Sequence, residues 1–205
     1  YNKLYFFHTK SIIILSMGKV ISFDIFLTYF FNKIIPHNIF FDYFFYFFSL
    51  KGASILIWLL VILIIVFLEE RKNPGISKRD RKIIVLFSLS FLLTFLISDI
   101  VFKNIFLRPR PMLSNFIRLN PIASNFICPT DFSFPSTHAA TAFAAATILT
   151  FFDKKRRWFY YTIAVLISFS RIYLGCHYLL DVVFGMLIGY LISKLILRIF
   201  PDHIN

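Results

Sequence analysis

Residues 52–68 of this 205-residue chain read GASILIWLLVILIIVFL, with no charge and no proline. A helix needs roughly 20 apolar residues to cross the hydrocarbon core of a bilayer, and such runs have little place in an ordinary soluble domain. The pattern recurs. Residues 83–102 (IIVLFSLSFLLTFLISDIVF) carry one charge, Asp99, near their far end, and apolar runs follow at 136–152, 158–176 and 178–197. The chain is 59% hydrophobic and 16% charged, against roughly 45–50% and about 25% in soluble domains. Nothing is left over for a separate soluble domain. The expected fold is all-α, a multi-pass transmembrane helical bundle of five or six spans.

Between the runs lie basic clusters: Arg71 and Lys72, then Lys78, Arg79, Arg81 and Lys82, then Lys154 to Arg157, and finally Lys194 and Arg198. Their alternation with apolar runs places them on one side, which the positive-inside rule assigns to the cytoplasm. The formal net charge of +12 is thus a matter of topology, and no nucleic-acid partner is expected. The loop 103–135 and the stretch around Arg171 and His177 then face outward. Residues 1–51 are interrupted by Lys3, Lys10, Lys19, Asp24, Lys33, Asp42 and Lys51. They are expected to form an interfacial region, or a first span over 12–31 that raises the total from five to six and puts the N-terminus in the cytoplasm; residues 52–200 form the core. The chain begins at Tyr1 rather than Met, which leaves room for an upstream piece, and no cleavable signal is apparent. Cys128 and Cys176 fall on the same side, so a single bridge between them is open. Cys176 is otherwise assigned to packing.

Ionisable residues at a membrane boundary are costly, and three groups of them converge on the outward face. The first holds Lys103, Arg108 and Arg110 with Pro111; the second is Pro135-Ser136-Thr137-His138; the third is Ser170-Arg171, then His177 and Asp181. His177 and Asp181 are four apart, so on a helix they share a face, and the carboxylate can accept a hydrogen bond from one ring nitrogen. The other nitrogen keeps its lone pair for attack. His138 can protonate a leaving oxygen. Lys103, Arg110 and Arg171 suit the oxygens of an anion. The helix beginning near Ser136 adds unpaired N–H groups and a positive dipole end. Neither a HExxH motif nor a dense carboxylate cluster is present, so no metal and no cofactor is expected.

Written as Lys103-x6-Arg110-Pro111, Pro135-Ser136-Thr137-His138 and Ser170-Arg171-x5-His177-x3-Asp181, the three groups resemble the signature of the type-2 phosphatidic acid phosphatase superfamily, shared with vanadium haloperoxidases. The resemblance covers the chain from about Gly52 to its end. It implies that Lys103, Arg110, Ser136, Thr137 (through its backbone N–H) and Arg171 hold a phosphate, that His177 is the nucleophile oriented by Asp181, and that His138 is the general acid. Thr137 departs from the pattern, where the family usually has Gly. The implied activity is metal-independent hydrolysis of a lipid phosphate or pyrophosphate through a phosphohistidine: phosphatidic acid, phosphatidylglycerol phosphate, polyprenyl pyrophosphate or the lipid A class. The implied place is the plasma (inner) membrane, with the site toward the periplasm or cell exterior; the partners are the bilayer and the lipid substrate, and oligomeric state is open.

Two alternatives share these residues: a lipid-to-acceptor phosphotransferase, and a transporter with an anion site at the boundary. A transporter would carry ionisable residues near the midplanes of several helices, whereas here they gather at one boundary. Outside the signature, Arg108 is expected to contact headgroups or flank a helix end, Arg118 to be a solvated loop charge, and Asp99 to pair locally with Lys103. His8, His37 and His203 are expected at the surface or interface. The loop 112–134 is where substrate selection is expected.

Overall fold

The computed structural model describes the backbone of residues 2–50, 52–70, 77–111 and 128–201, and within these the side chains of all but 2–17, 53 and 68–70. Arg118 and most of the expected selection loop, residues 112–127, lie outside the described residues, as do His203 and the side chain of His8. Among the described residues every regular element is helical. The elements are α1 (Asn2–Lys33), α2 (Ile39–Ser49), α3 (Ala53–Glu70), α4 (Lys78–Phe95), α5 (Lys103–Phe106), α6 (Thr137–Phe152), α7 (Arg157–Tyr173) and α8 (Leu179–Ile199). A π-helical stretch, Leu96–Phe102, joins α4 to α5, so that one continuous rod runs from Lys78 to Phe106.

Among the described residues, two helices are long and apolar enough to cross a membrane, 78–106 and 179–199, or three if the bent pair α2 and α3 is one span. The five or six spans expected include segments whose side chains lie outside those described, such as the start of α1. The 16 residues of α6 and the 17 of α7 fall short of the roughly 20 that a perpendicular crossing requires. Surface apolarity fits a helical membrane protein: Leu56, Leu60, Leu63, Leu92, Leu191 and Leu195 all point outward.

At the centre lies α6, wrapped by α4, α7 and α8. Its alanines at 139, 140, 142, 144, 145 and 146 are all buried, because small side chains let neighbouring backbones close in where no hydrophobic force between helices is available. The tightest approach is to α8. A Cβ on Gly185 would sit 2.5 Å from the carbonyl oxygen of Ser136, and one on Gly189 would collide with the carbonyl of Ala140. Polar contacts tie the same three helices together: Ser90 and Ser193 share a hydrogen bond of 2.7 Å, and the Ser193 hydroxyl reaches the Ala144 carbonyl at 3.2 Å.

At the basic end of the bundle, Arg79 donates to the carbonyl of Phe152 at 2.6 Å and Lys82 to that of Pro201 at 2.9 Å. Cationic side chains thereby meet carbonyls at the ends of α6 and α8, where the helix dipole is negative.

The N-terminal region is more deeply involved than an interfacial helix would be. Asp24, Thr28 and Asn32, four residues apart on one face of α1, are fully buried. The Leu180 amide donates to Asp24 at 2.9 Å and the Leu179 amide to Thr28 at 2.8 Å, which satisfies the first turn of α8. Asn32 donates to the carbonyls of Ile172 and Tyr173 at 3.0 and 2.7 Å, at the last turn of α7. In the phenylalanine-rich α2, Asp42 is buried and accepts from the Tyr173 hydroxyl at 2.7 Å. His37, expected at the surface or interface, is half-buried and stacks on the Tyr173 ring with centroids 4.3 Å apart.

Candidate active site

Between α7 and α8 the chain makes a five-residue turn, 174–178, and His177 sits in it, 2% exposed. The turn is held at both ends by α1 and is tied back to the last turn of α7: the amides of Cys176 and His177 both donate to the Arg171 carbonyl, at 3.0 and 3.2 Å. A disulfide joins Cys176 to Cys128, with Cα atoms 5.5 Å apart. Cys176 is therefore a covalent tether rather than a packing residue, and it fastens the end of the long loop beside His177.

The imidazole environment fixes its tautomer. Nδ1 lies 2.8 Å from the main-chain carbonyl of Ser133, which can only accept, so Nδ1 carries the proton. Nε2 lies 2.8 Å from a guanidinium nitrogen of Arg110, which can only donate, so Nε2 keeps its lone pair. Burial, together with the charges of Arg110 and Arg171 and against the pull of Asp181, lowers the His177 pKa to about 4. The ring is neutral at ordinary pH.

Asp181 is placed otherwise than its spacing suggests. His177 precedes α8 rather than lying on it, and the nearest Asp181 oxygen is 3.6 Å from Nδ1, beyond a hydrogen bond. That oxygen instead accepts from the Ser133 hydroxyl and, at 2.9 Å, from the Tyr178 amide. The other oxygen accepts from Arg108 at 2.6 Å. Asp181 thus holds Ser133, and the carbonyl of Ser133 holds the histidine.

A cavity of about 390 Å³ opens beside the ring, lined by Lys103, Arg110, Arg171, His177, His138 and Thr137, with Asp99, Asp131, Phe95, Pro129 and Thr130. The structure therefore brings together Lys103, Arg110, Thr137, His138, Arg171 and His177 from α5, α6, α7 and two loops. Ser136 is not on the wall. It is fully buried, its amide donates to the Asp181 carbonyl at 2.9 Å, and its hydroxyl has no partner among the described residues. Thr137 answers for the absence of glycine: its hydroxyl donates to Asp99 at 2.9 Å, which turns the side chain toward α4 and its π-helical continuation. Arg171 is buried and reaches Ser49 of α2 through one guanidinium nitrogen. Lys103 pairs with Asp99, as its spacing suggests, and also with Asp131.

Four residues outside the sequence signature take part. Arg108, expected at a headgroup or helix end, bridges two fully buried carboxylates, Asp24 and Asp181, at 2.6 Å each, and lies 4.1 Å from the centre of the Tyr178 ring. Asp24 was legible only as a lone carboxylate in an aromatic run, which is costly unless paired. Ser133 and Asp131 lie in the polar loop before the second motif, where spacing alone assigns no role. Among the described residues, no group of three or more His, Cys, Asp or Glu is arranged to hold a metal ion.

The chain resembles known proteins along most of its length. An undecaprenyl-diphosphatase of Sulfolobus acidocaldarius is 38% identical over 125 residues, which are 60% of this chain and 58% of that protein; the chain thus aligns with little more than half of that relative. The crystal structure of Aquifex aeolicus LpxE matches with a TM-score of 0.55 at 27% identity, covering 85% of this chain and 94% of that one. A Bacillus subtilis transmembrane PAP2-type phosphatidylglycerolphosphate phosphatase matches in fold with a TM-score of 0.60 at 24% identity, covering 91% and 90%. The model of the PAP2 superfamily matches residues 83–205, a stretch that takes in all three motifs and well over half of the chain, and the chain belongs to that superfamily.

Proposed function

We propose that this protein hydrolyses a lipid phosphate or diphosphate at the extracytoplasmic face of the plasma membrane by way of a phosphohistidine on His177. The observation that carries the reading is the tautomer: a buried neutral imidazole whose Nδ1–H is engaged by Ser133 and whose Nε2 lone pair faces a cavity lined by three cations. In the resting site that lone pair accepts from Arg110. A bound phosphoryl group gives the guanidinium a better acceptor and frees Nε2.

Nε2 then attacks phosphorus as the bond from phosphorus to the lipid oxygen breaks, and His138, which takes up a proton from solvent when the anionic phosphate offsets the neighbouring cations, gives that proton to the departing oxygen. A water molecule, deprotonated by the now neutral His138, attacks the phosphohistidine; the P–N bond breaks and inorganic phosphate leaves. Lys103, Arg110 and Arg171 stabilise charge on the equatorial oxygens. Asp181 and Ser136 support the site from behind, and the backbone of Thr137 lies at the mouth of α6. The relative named undecaprenyl-diphosphatase makes polyprenyl diphosphate the first substrate to test, with phosphatidic acid, phosphatidylglycerol phosphate and lipid A phosphates beside it. Transfer to a second acceptor would use the same intermediate.

Two observations support the outward orientation. The cavity lies at the opposite end of the bundle from Arg79 and Lys82, and the disulfide belongs to an oxidising compartment. Residues 52–200 would form the phosphatase core, with 1–51 packed against it.

The test is phosphate release from a panel of lipid phosphates and diphosphates by detergent-purified protein in EDTA, wild type against His177→Ala. Release that is lost in the variant supports the reading; release that survives the substitution, or its absence on every lipid, overturns it.

A further inference from the structure

We propose that Asp131 is a built-in competitor for the phosphate pocket, which sets how strongly an anion must bind in order to enter. The inference rests on the phosphatase reading and goes beyond it. One oxygen of the Asp131 carboxylate accepts from Arg110 at 2.6 Å, and the other accepts from Lys103. Two oxygens of one anion, each on a different cation of the cavity wall, is the arrangement a phosphoryl group would adopt there. Asp99 also pairs with Lys103, but it is held by Thr137 and stands one turn away on the same rod. It is a permanent countercharge.

Asp131 is built to let go. Its side chain is 42% exposed, so the carboxylate has room to turn into water when another anion takes over its cations. Arg110 stays in place when it does, because its Nε donates to the main-chain carbonyl of Asp131 at 2.8 Å and a second guanidinium nitrogen reaches that of Phe132 at 3.3 Å. Burial pushes the Asp131 carboxyl up, but the hydrogen bond from Lys103 and the charges of Arg110 and Lys103 outweigh it and hold the group below its usual range. It competes as an anion at any ordinary pH.

Every entering anion must break the same ion pairs, so the affinity of each is lowered by the same factor. The consequence differs by ligand. A terminal phosphoryl group carries about −1.5 to −2 charges at neutral pH, whereas the phosphodiester of a bulk phospholipid carries one. A uniform penalty leaves the dianion bound and drops the abundant monoanion below occupancy. Asp131 thereby keeps the pocket from filling with the headgroups that surround it.

The test uses the full chain in detergent, wild type and Asp131→Asn, with calorimetric Kd values for inorganic phosphate and for a short-chain phosphatidylglycerol. Both should tighten in the variant by a similar factor, about tenfold, and phosphatidylglycerol should become an inhibitor of hydrolysis. Asp131→Ala, checked for an unchanged melting curve, should act in the same direction. Unchanged or weaker phosphate binding, or tightening confined to one of the two ligands, overturns the inference. Tighter binding by a protein that hydrolyses no lipid phosphate would sink the phosphatase reading instead, and hydrolysis with unchanged binding would sink only the role of Asp131.

Discussion

Nδ1 of His177 lies 2.8 Å from the main-chain carbonyl of Ser133 and 3.6 Å from the nearest oxygen of Asp181. The carboxylate therefore acts on the histidine through an intermediary that mutation of a side chain cannot remove. Asp181→Asn can still accept from Tyr178 and from the Ser133 hydroxyl, so kcat should fall by roughly 10-fold to 100-fold, much less than for His177→Ala. Equal losses in steady-state assays would mean that the carboxylate contacts the imidazole directly during turnover.

The pH dependence follows from the same ring. A His177 pKa near 4 leaves the proposed nucleophile in its neutral form throughout the range of ordinary assays, so no loss of rate from its protonation is expected until the pH approaches about 4. Stability changes earlier. Between its ordinary value of 6.5 and about 4 the unfolded chain takes up a proton at this site and the folded one does not, so the stability the neutral ring contributes is present above pH 6.5 and declines as the pH falls through that window. A thermal melt whose pH dependence over this window is weaker in His177→Ala than in wild type would isolate the contribution.

Arg108→Ala should be more harmful than a headgroup contact would be. It leaves Asp24 and Asp181, both fully buried, without their shared cation, and breaking such a pair costs about 3–5 kcal/mol. The double variant Arg108→Ala with Asp24→Asn should recover part of the lost melting temperature. No recovery would mean that the loss comes from the Tyr178 contact.

Gly189→Ala should lower thermal stability in detergent by several degrees, since the added methyl meets the Ala140 backbone rather than a movable side chain. Gly18→Ala, where a Cβ meets nothing within 4 Å, is the matched control and should have little effect. If both behave alike, the closeness of α6 and α8 is not limiting.

Reduction of Cys128–Cys176, which spans 48 residues, should destabilise the protein by about 2–5 kcal/mol. Melting in the presence of a membrane-permeant reductant, beside the double serine variant, measures this directly.

The sequence was most legible where chemistry and spacing coincide. The apolar runs after residue 52 became α3, α4 with its π-helical continuation, α6, α7 and α8, with ends shifted by up to five residues, and six of the eight residues assigned to the site line one cavity. Two assignments shifted for a local reason: the helix begins at Leu179 rather than at His177, so spacing by four does not place the ring and Asp181 on one face. Ser136 sits at the N-cap of α6, where its amide is taken by the Asp181 carbonyl. The roles of Asp131, Ser133, Arg108 and Asp24 were not legible, because each owes its place to a partner 21 or more residues away, as in the pairing of Asp131 with Arg110 or of Asp24 with Arg108.

The stripe of Asp24, Thr28 and Asn32 changes what counts as the smallest working piece of this protein. The stretch that carries the family signature starts at residue 83, yet the amides of Leu179 and Leu180 and the carbonyls of Ile172 and Tyr173 find their partners in α1. A fragment trimmed to the signature would keep every residue that lines the cavity and lose the splint that sets the His177 turn. Such a fragment should lose activity although it keeps those residues, since the residues that shape the turn lie upstream of the stretch that does the chemistry.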